Sequence, residues 1–187
     1  MDGIGKSPAW SLRVLGALTV VLAAATARAD TLVFGPHDVT SLFTISKSEN
    51  RNEVVFAIHL NEQCEPVGNT PVLAFWRMHE LGPNVVQPLL AREQGAYGIS
   101  AQSVVLRNGS GGKVRMTLQA LPKRPIVIET RRGKTTCDAW VTTTIAGEPN
   151  ALLYNAYVKL GFFGPKSILL SGWADDRKRV LHELLAP

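Results

Sequence analysis

The sequence predicts an all-β protein, an antiparallel β-sandwich or partly closed barrel with one short helix, preceded by a signal-peptide helix. Two observations carry this prediction. Apolar residues recur with a period of two along most of the chain after residue 30, which is the spacing of strands with one face on a core and the other in water. Turn signals rich in Gly, Pro and Asn separate these stretches regularly, as in sandwiches and barrels.

The strictest alternation lies in residues 113–120, and the apolar residues of its one face are Val114, Met116, Leu118 and Ala120. Further β-branched, aromatic or Thr-rich runs of strand length are 53–60, 71–78, 125–130, 135–145 and 152–160, and shorter candidates are 31–34, 41–46, 103–107, 167–171 and 179–184. The helix candidate is 88–95, which begins at a Pro that a first helical turn tolerates and stops at Gly95.

Composition limits the class of protein. The chain has 187 residues, of which 45% are hydrophobic and 19% charged, as in an ordinary folded domain rather than a disordered chain. The formal charge is +5. Residues 1–29 hold a net +2 of this and the remainder a net +3, which is too weak and dispersed to predict nucleic-acid binding. No repeat or long linker divides residues 30–187, so we expect a single β-rich domain.

Residues 1–29 have the pattern of a secretory signal peptide. Lys6 and Arg13 supply the positive start, an uncharged apolar run of twelve residues follows from Val14, and small residues precede a cleavage site between Ala29 and Asp30. This run is short for a permanent anchor, because crossing the hydrocarbon needs ~20 residues. The expectation is export to the periplasm or beyond, with membrane contact only through the signal peptide before cleavage; the alternative is an uncleaved N-terminal helix.

Both cysteines, Cys64 and Cys137, follow the signal peptide. In an oxidising compartment, two thiols without a third favour a single disulfide. The alternative is two separate buried thiols, because sequence alone does not show that the two Cα atoms come within bonding distance. Neither cysteine has a second Cys or His at ligand spacing, so no metal site is expected.

No catalytic motif is recognisable in the sequence. The four histidines lack the paired spacing of zinc hydrolases. Ser100 lacks the second glycine of a nucleophile turn, and Ser110 lies in a loop with no helix behind it. We therefore expect no cofactor. If the protein is a small hydrolase, its acid–base groups meet only in three dimensions, and the residues to consider are His59, His79, Glu80 and Asp138.

Five cations flank the apolar strand candidate 125–130: Lys123, Arg124, Arg131, Arg132 and Lys134. The functional interpretation is contact with an anionic envelope component such as lipid headgroups or polysaccharide. The alternative is that they are solvated strand ends that discourage edge-to-edge aggregation.

Several stretches of the chain together form a pattern: Leu42–Asn50 followed by the strand 53–60, Pro71–Trp76, Arg92–Gly98, Ile168–Trp173 and Val180–Glu183. This pattern resembles the bacterial secreted family known as domain of unknown function 4833. The resemblance spans Leu42 to Glu183 and implies a secreted or envelope β-rich domain. It implies no reaction, and neither cysteine belongs to the family pattern.

The positions most characteristic of that family are Trp76, Arg92, Tyr97 and Gly98. An aromatic pair beside an arginine suits a pocket for a sugar or an aromatic ligand, through stacking and bidentate hydrogen bonds. The alternative is core packing, with Trp76 buried, the Tyr97 hydroxyl hydrogen-bonded and Gly98 in a turn of positive φ.

The sequence therefore favours an exported, non-enzymatic binding or structural module of the cell envelope over an enzyme. The expected partner is an anionic envelope component or another envelope protein. Two alternatives stay open: the small secreted hydrolase, and a carrier of lipid or another small ligand whose barrel interior is lined by Trp76 and Phe75.

Overall fold

A computed structural model describes residues 31–34, 37–47, 51–162 and 164–186. The signal-peptide prediction, including the cleavage site between Ala29 and Asp30, lies outside the described residues. So does the end of the first family stretch, residues 48–50.

The described chain is built from twelve strands and one short helix. The strands are β1 Thr31–Phe34, β2 His37–Lys47, β3 Glu53–His59, β4 Val72–Arg77, β5 Val86–Pro88, β6 Ile99–Arg107, β7 Gly111–Leu118, β8 Leu121–Arg132, β9 Cys137–Ile145, β10 Glu148–Gly161, β11 Gly164–Trp173 and β12 Val180–Leu185. The helix is α1, Ala91–Tyr97. The all-β prediction is confirmed, and all strand candidates of the sequence fall on observed strands. The sequence missed β5, which has three residues and no alternation of its own.

The strands form one twelve-stranded sheet, in the order β5–β4–β3–β2–β10–β9–β8–β7–β6. β1 pairs with β2, while β11 pairs with β10 and carries β12 on its other side. Among the described strands the pairing is antiparallel except between β2 and β10, where Asn155 lies opposite Thr44 in a parallel register. The sheet is therefore mixed, and it is not closed into a barrel, because β5 and β6 are not paired with each other.

One strand joins the two arms of this sheet, which we define as β2–β5 and β6–β9. On one edge β10 pairs with β9 near its start and with β2 further along, while β11 follows its other edge. β-bulges interrupt the registers of β10 with both β9 and β11. β10 is thus the strand at which the sheet divides.

The main core cluster takes side chains from both arms. Its members include Phe43, Val54, Phe56 and Ile58 from one arm and Val114, Met116, Ile126 and Ile128 from the other. The alternation predicted for residues 113–120 is confirmed, because Val114, Met116 and Leu118 are buried in this cluster and Ala120 packs against it. The two arms therefore pack face to face around one core, as the layers of a sandwich do.

A second, smaller cluster lies on the other face of the first arm. It contains Val39, Val55, Ala57 and Phe75. Phe75 and Trp76 are neighbours in β4 and belong to different clusters, because successive side chains of a strand point to opposite faces. The expectation that both would line one carrier interior is wrong.

Helix α1 begins and ends later than the sequence indicated. Pro88 is the last residue of β5 rather than part of a first helical turn, and the helix continues past Gly95 to Tyr97. Gly95 does not stop it, because its φ is not positive and a Cβ there would meet no atom within 4 Å. The left-handed turn with which a glycine commonly ends a helix is absent at this position.

The disulfide between Cys64 and Cys137 is confirmed, with 5.4 Å between the two Cα atoms. It links the loop between β3 and β4 to the first residue of β9, and so connects the two arms of the sheet. The described residues include no free cysteine.

Candidate functional site

A recess of about 350 Å³ opens beside α1, where the end of β4, β5 and the start of the helix meet. Its lining residues are Asn52, Trp76, Met78, Gln87, Pro88, Leu90, Arg92 and Glu93. The wall is mainly apolar, and the polar groups are an amide pair, one guanidinium and one carboxylate. This composition, an apolar surface with a few convergent polar groups, is typical of a small-ligand site.

The Glu93 carboxylate connects two walls of the recess by hydrogen bonds. Its Oε2 accepts a hydrogen bond from Trp76 Nε1 at 2.9 Å and another from the Leu90 backbone N–H, also at 2.9 Å. The second bond is one half of a capping box, in which a Glu in the first helical turn reaches back to the residue before the helix. The Glu93 side chain thus caps the N-terminus of α1 and connects the helix to β4.

Tyr97 packs behind this contact rather than in the recess. Its ring meets the Trp76 ring edge-on at 5.3 Å, with 74° between the planes. The Tyr97 hydroxyl is buried with no hydrogen-bond partner among the described residues, so the expected hydrogen bond is wrong. Burial, and after it the Glu93 charge, raise the pKa of Tyr97 to about 12.

Gly98 ends α1 in extended backbone, with φ at −75°. The expected positive φ is therefore wrong. The position instead needs a glycine for space, because a Cβ would lie 2.4 Å from the Gln94 carbonyl oxygen, which accepts the Gly98 N–H at 2.7 Å. Of the four residues singled out by the family resemblance, Trp76 and Arg92 line the recess, whereas Tyr97 and Gly98 support it from behind.

Sequence reasoning missed the other lining residues, above all Glu93. A usable signal was present, because Glu in the first turn of a helix is a common capping residue. The helix predicted from residue 88 begins three residues before α1, so Glu93 falls in its interior and not in its first turn.

The candidate acid–base residues are dispersed among other partners. His79 Nε2 lies 3.1 Å from Glu53 Oε1, and Glu53 also accepts from Arg77 at 3.2 Å. Glu80 is bonded to Asn52 through its side chain and its backbone N–H. Asp138 faces Arg131 at 3.8 Å, and His59 lies at the end of β3.

The five cations occupy the two ends of β8 and the turn after it. Lys123 and Arg124 are separated from Arg131 and Arg132 by roughly 25 Å, at ~3.3 Å per strand residue. Arg124 forms a bidentate ion pair with Glu183 and donates a hydrogen bond to the Thr144 carbonyl. Arg131 pairs with Asp138 and lies 5.6 Å from the centre of the Trp140 ring. The five charges therefore do not form one continuous surface.

Lys134 is exposed in the turn after β8, and Arg132 donates to the Glu62 carbonyl at 3.1 Å. The described residues contain no group of three or more His, Cys, Asp or Glu side chains placed to hold a metal ion. In the same part of the chain, no helix has both the length and the apolar character needed to cross a membrane.

The fold and the recess define a disulfide-linked β-sheet protein with a recess of about 350 Å³ beside its short helix. The model of a family described as domain of unknown function (DUF4833) matches residues 43–183 of this chain. The chain therefore belongs to that family, as its resemblance in sequence predicted. No curated protein and no solved structure matches it.

Proposed function

We propose that the protein is an exported module of the cell envelope that binds a small ligand in the recess beside α1 and performs no reaction. In this proposal residues 1–29 direct export and are removed, and residues 30–187 form a single β-rich domain. The disulfide supports an oxidising compartment, because such bonds persist outside the reducing cytosol.

The recess itself carries the binding proposal. Its volume of about 350 Å³ falls within the ~300–1,000 Å³ of small-molecule sites. Three features of its wall indicate what fits there: the indole of Trp76, the aliphatic surface of Met78 and Leu90, and the exposed guanidinium of Arg92. A flat or branched apolar group that carries one anionic group satisfies all three.

The bonding of Glu93 supports binding rather than acid–base chemistry. The carboxylate oxygen that faces the Trp76 indole is already engaged by two N–H donors. A general acid or base instead needs an oxygen within hydrogen-bond reach of a substrate proton. Glu93 is better suited to fixing the shape of the recess.

Binding is tested with two fluorescent probes of similar size, the anionic 8-anilinonaphthalene-1-sulfonate and the neutral N-phenyl-1-naphthylamine. We expect saturable binding of the anionic probe, and at least fivefold weaker binding in Arg92→Gln. The control Arg115→Gln removes an exposed arginine of β7 away from the recess and leaves the affinity unchanged.

The neutral probe separates charge from apolar contact. Its affinity is expected to be the same in Arg92→Gln and in the unchanged protein, and only the anionic probe should bind more weakly as salt is added. Absence of saturable binding, or equal affinity of the anionic probe for Arg92→Gln and the unchanged protein, would rule out this recess as an anion-assisted site.

Export is tested separately, by expressing the full chain in a bacterium and determining the N-terminus of the protein in the periplasmic fraction. The proposal expects a chain that begins at Asp30. A full-length protein retained in the cytoplasm contradicts it.

A further inference from the structure

The outer face of β2, β10, β11 and β12 carries a line of polar side chains across four strands. Thr44 lies opposite Asn155, Asn155 opposite Ser171, and Ser171 opposite His182. Their neighbours along the chain lie in the main core: Ile45, Ala156, Leu170 and Leu181. Because side chains alternate along a strand, the four polar residues point away from that core.

Hydrogen bonds hold this line in place. Ser171 Oγ lies 3.1 Å from His182 Nδ1, and the Asn155 amide donates to Thr44 Oγ1 at 3.2 Å. Each of these groups has further hydrogen-bonding capacity, since a hydroxyl, an amide and an imidazole each have more than one donor or acceptor site. Ser171 is itself buried, at 8% exposure, and positions its neighbours, so the groups that the face offers to a ligand are the exposed His182 imidazole and the half-buried Asn155 amide.

Two aromatic rings stand next to the polar line. Trp173 follows Ser171 by two residues on β11, and Tyr154 immediately precedes Asn155 on β10. Their ring centres are 6.4 Å apart, and the side chains are 40% and 43% exposed. The two rings therefore form one half-exposed aromatic surface on neighbouring strands.

We propose that this surface, the aromatic face formed by Tyr154, Asn155, Ser171, Trp173 and His182, binds a neutral saccharide chain. The C–H faces of a pyranose ring are apolar and match the electron-rich faces of the Trp and Tyr rings. The ring hydroxyls are both donors and acceptors, and match the polar line alongside. Two rings 6.4 Å apart suit successive sugars of a chain better than one enclosed sugar.

The chemistry of the face favours a saccharide over a protein partner. A stable protein interface takes about 800 Å² per partner, with a fully buried apolar centre. Here a polar line runs through the centre of the face, and the exposed apolar side chains Val180 and Leu184 lie on either side of it beside the two partly covered rings. The aromatic face is formed by other residues than the recess, so the two proposals stand or fall independently.

The test titrates the full exported chain, with its disulfide intact, with cellohexaose and with chitohexaose while Trp fluorescence and heat of binding are recorded. We expect at least one of these neutral chains to bind with a dissociation constant of about 1 mM or lower. Trp173→Ala is expected to weaken that binding at least tenfold. Trp173→Phe keeps an aromatic face and is expected to weaken it threefold or less.

Two controls make the outcome specific. Phe162→Ala removes an exposed aromatic side chain at the turn between β10 and β11, away from the aromatic face, and is expected to leave binding unchanged. Affinity for a neutral chain is also expected to stay constant as salt is raised, because no charge pair forms.

The proposal is overturned if neither chain binds at ~10 mM, or if Trp173→Ala binds as well as the unchanged protein while both keep the same unfolding midpoint. Self-association of the unchanged protein that Trp173→Ala abolishes, without saccharide binding, would instead identify the face as a contact between copies of the chain and also overturns it. Loss of probe binding in Arg92→Gln has no bearing on this result.

Discussion

Removing the disulfide tests how the long loop between its ends contributes to stability. The double variant Cys64→Ser/Cys137→Ser takes away one covalent link and leaves the surrounding contacts in place. Those contacts are extensive: the Cys64 carbonyl accepts from Thr130 Oγ1 at 2.7 Å, and the Asn61 side chain accepts from the Glu65 N–H at 2.9 Å. We therefore expect the native structure to persist, and the effect to arise mainly in the unfolded chain.

The size of that effect follows from the sequence separation of 73 residues. The chain-entropy relation assigns a loop of this length about 4.4 kcal/mol at 25 °C. Proteins of this kind unfold with a total of about 5–15 kcal/mol. Losing the disulfide should thus remove a large share of the stability without necessarily unfolding the protein.

Urea denaturation followed by Trp fluorescence measures this loss. We expect the free energy of unfolding to fall by about 4 kcal/mol, and the m-value to rise, because the unlinked unfolded chain exposes more surface. The reduced unchanged protein should behave like the double variant. A loss below ~1.5 kcal/mol with an unchanged m-value would refute the argument that the bond acts on the unfolded chain.

Three further predictions concern single side chains. Tyr97→Phe removes a buried, unpartnered hydroxyl, so we expect stability in urea to be unchanged or up to ~1 kcal/mol higher. The pKa of Tyr97 in the folded protein is raised to about 12 from an ordinary 10.0. The contribution of the protonated hydroxyl to the free energy of unfolding is therefore complete below pH 10 and is lost as the pH rises toward 12. The Phe variant should not show that loss. Glu183→Gln is expected to cost about 1–2 kcal/mol at pH 7, through its hydrogen bonds with Arg124. Those bonds lower the pKa of Glu183 from its ordinary 4.5, so their contribution to stability is complete above pH 4.5. The difference in free energy of unfolding between Glu183→Gln and the unchanged protein, measured with urea, should close as the pH falls through the lowered value. Gly172→Ala places a Cβ 2.5 Å from Ile145 Cδ1 and 2.6 Å from the Leu152 carbonyl oxygen, and should lower the melting temperature through ~2–3 kcal/mol of overpacking. Gly95→Ala, with no atom within 4 Å of its Cβ, is the matched control and should be neutral or slightly stabilising.

The strands could be predicted from the sequence because their alternation is local. Residues 113–120 predict one buried and one exposed face within eight consecutive positions, and β7 has that alternation of buried and more exposed residues. The parallel pair of β2 and β10 could not be predicted in this way. It joins Thr44 to Asn155 across 111 residues, and no local pattern states which strand lies beside which.

The two proposed sites show a different limit. The family resemblance singles out Trp76 and Arg92. Whether the two side chains line one recess, however, depends on where α1 begins. Tyr154 would share a face with the buried Ala156 under simple alternation. The β-bulge between Leu153 and Asn155 changes that phase, and a bulge leaves no mark in the period of the sequence.

The shared position of β10 has a consequence for how the protein opens and forms. Its residues Asn155–Val158 lie between β2 on one edge and β11 on the other, so the amide protons of this stretch are shared between two neighbours and the whole stretch is released to solvent only when both leave. Exchange of those amides with deuterium should therefore follow unfolding of the whole sheet, while the edge strands β5 and β12 exchange through smaller openings. Because β2 also pairs with β10, which follows more than a hundred residues later in the chain, folding should be slow for a chain of this size.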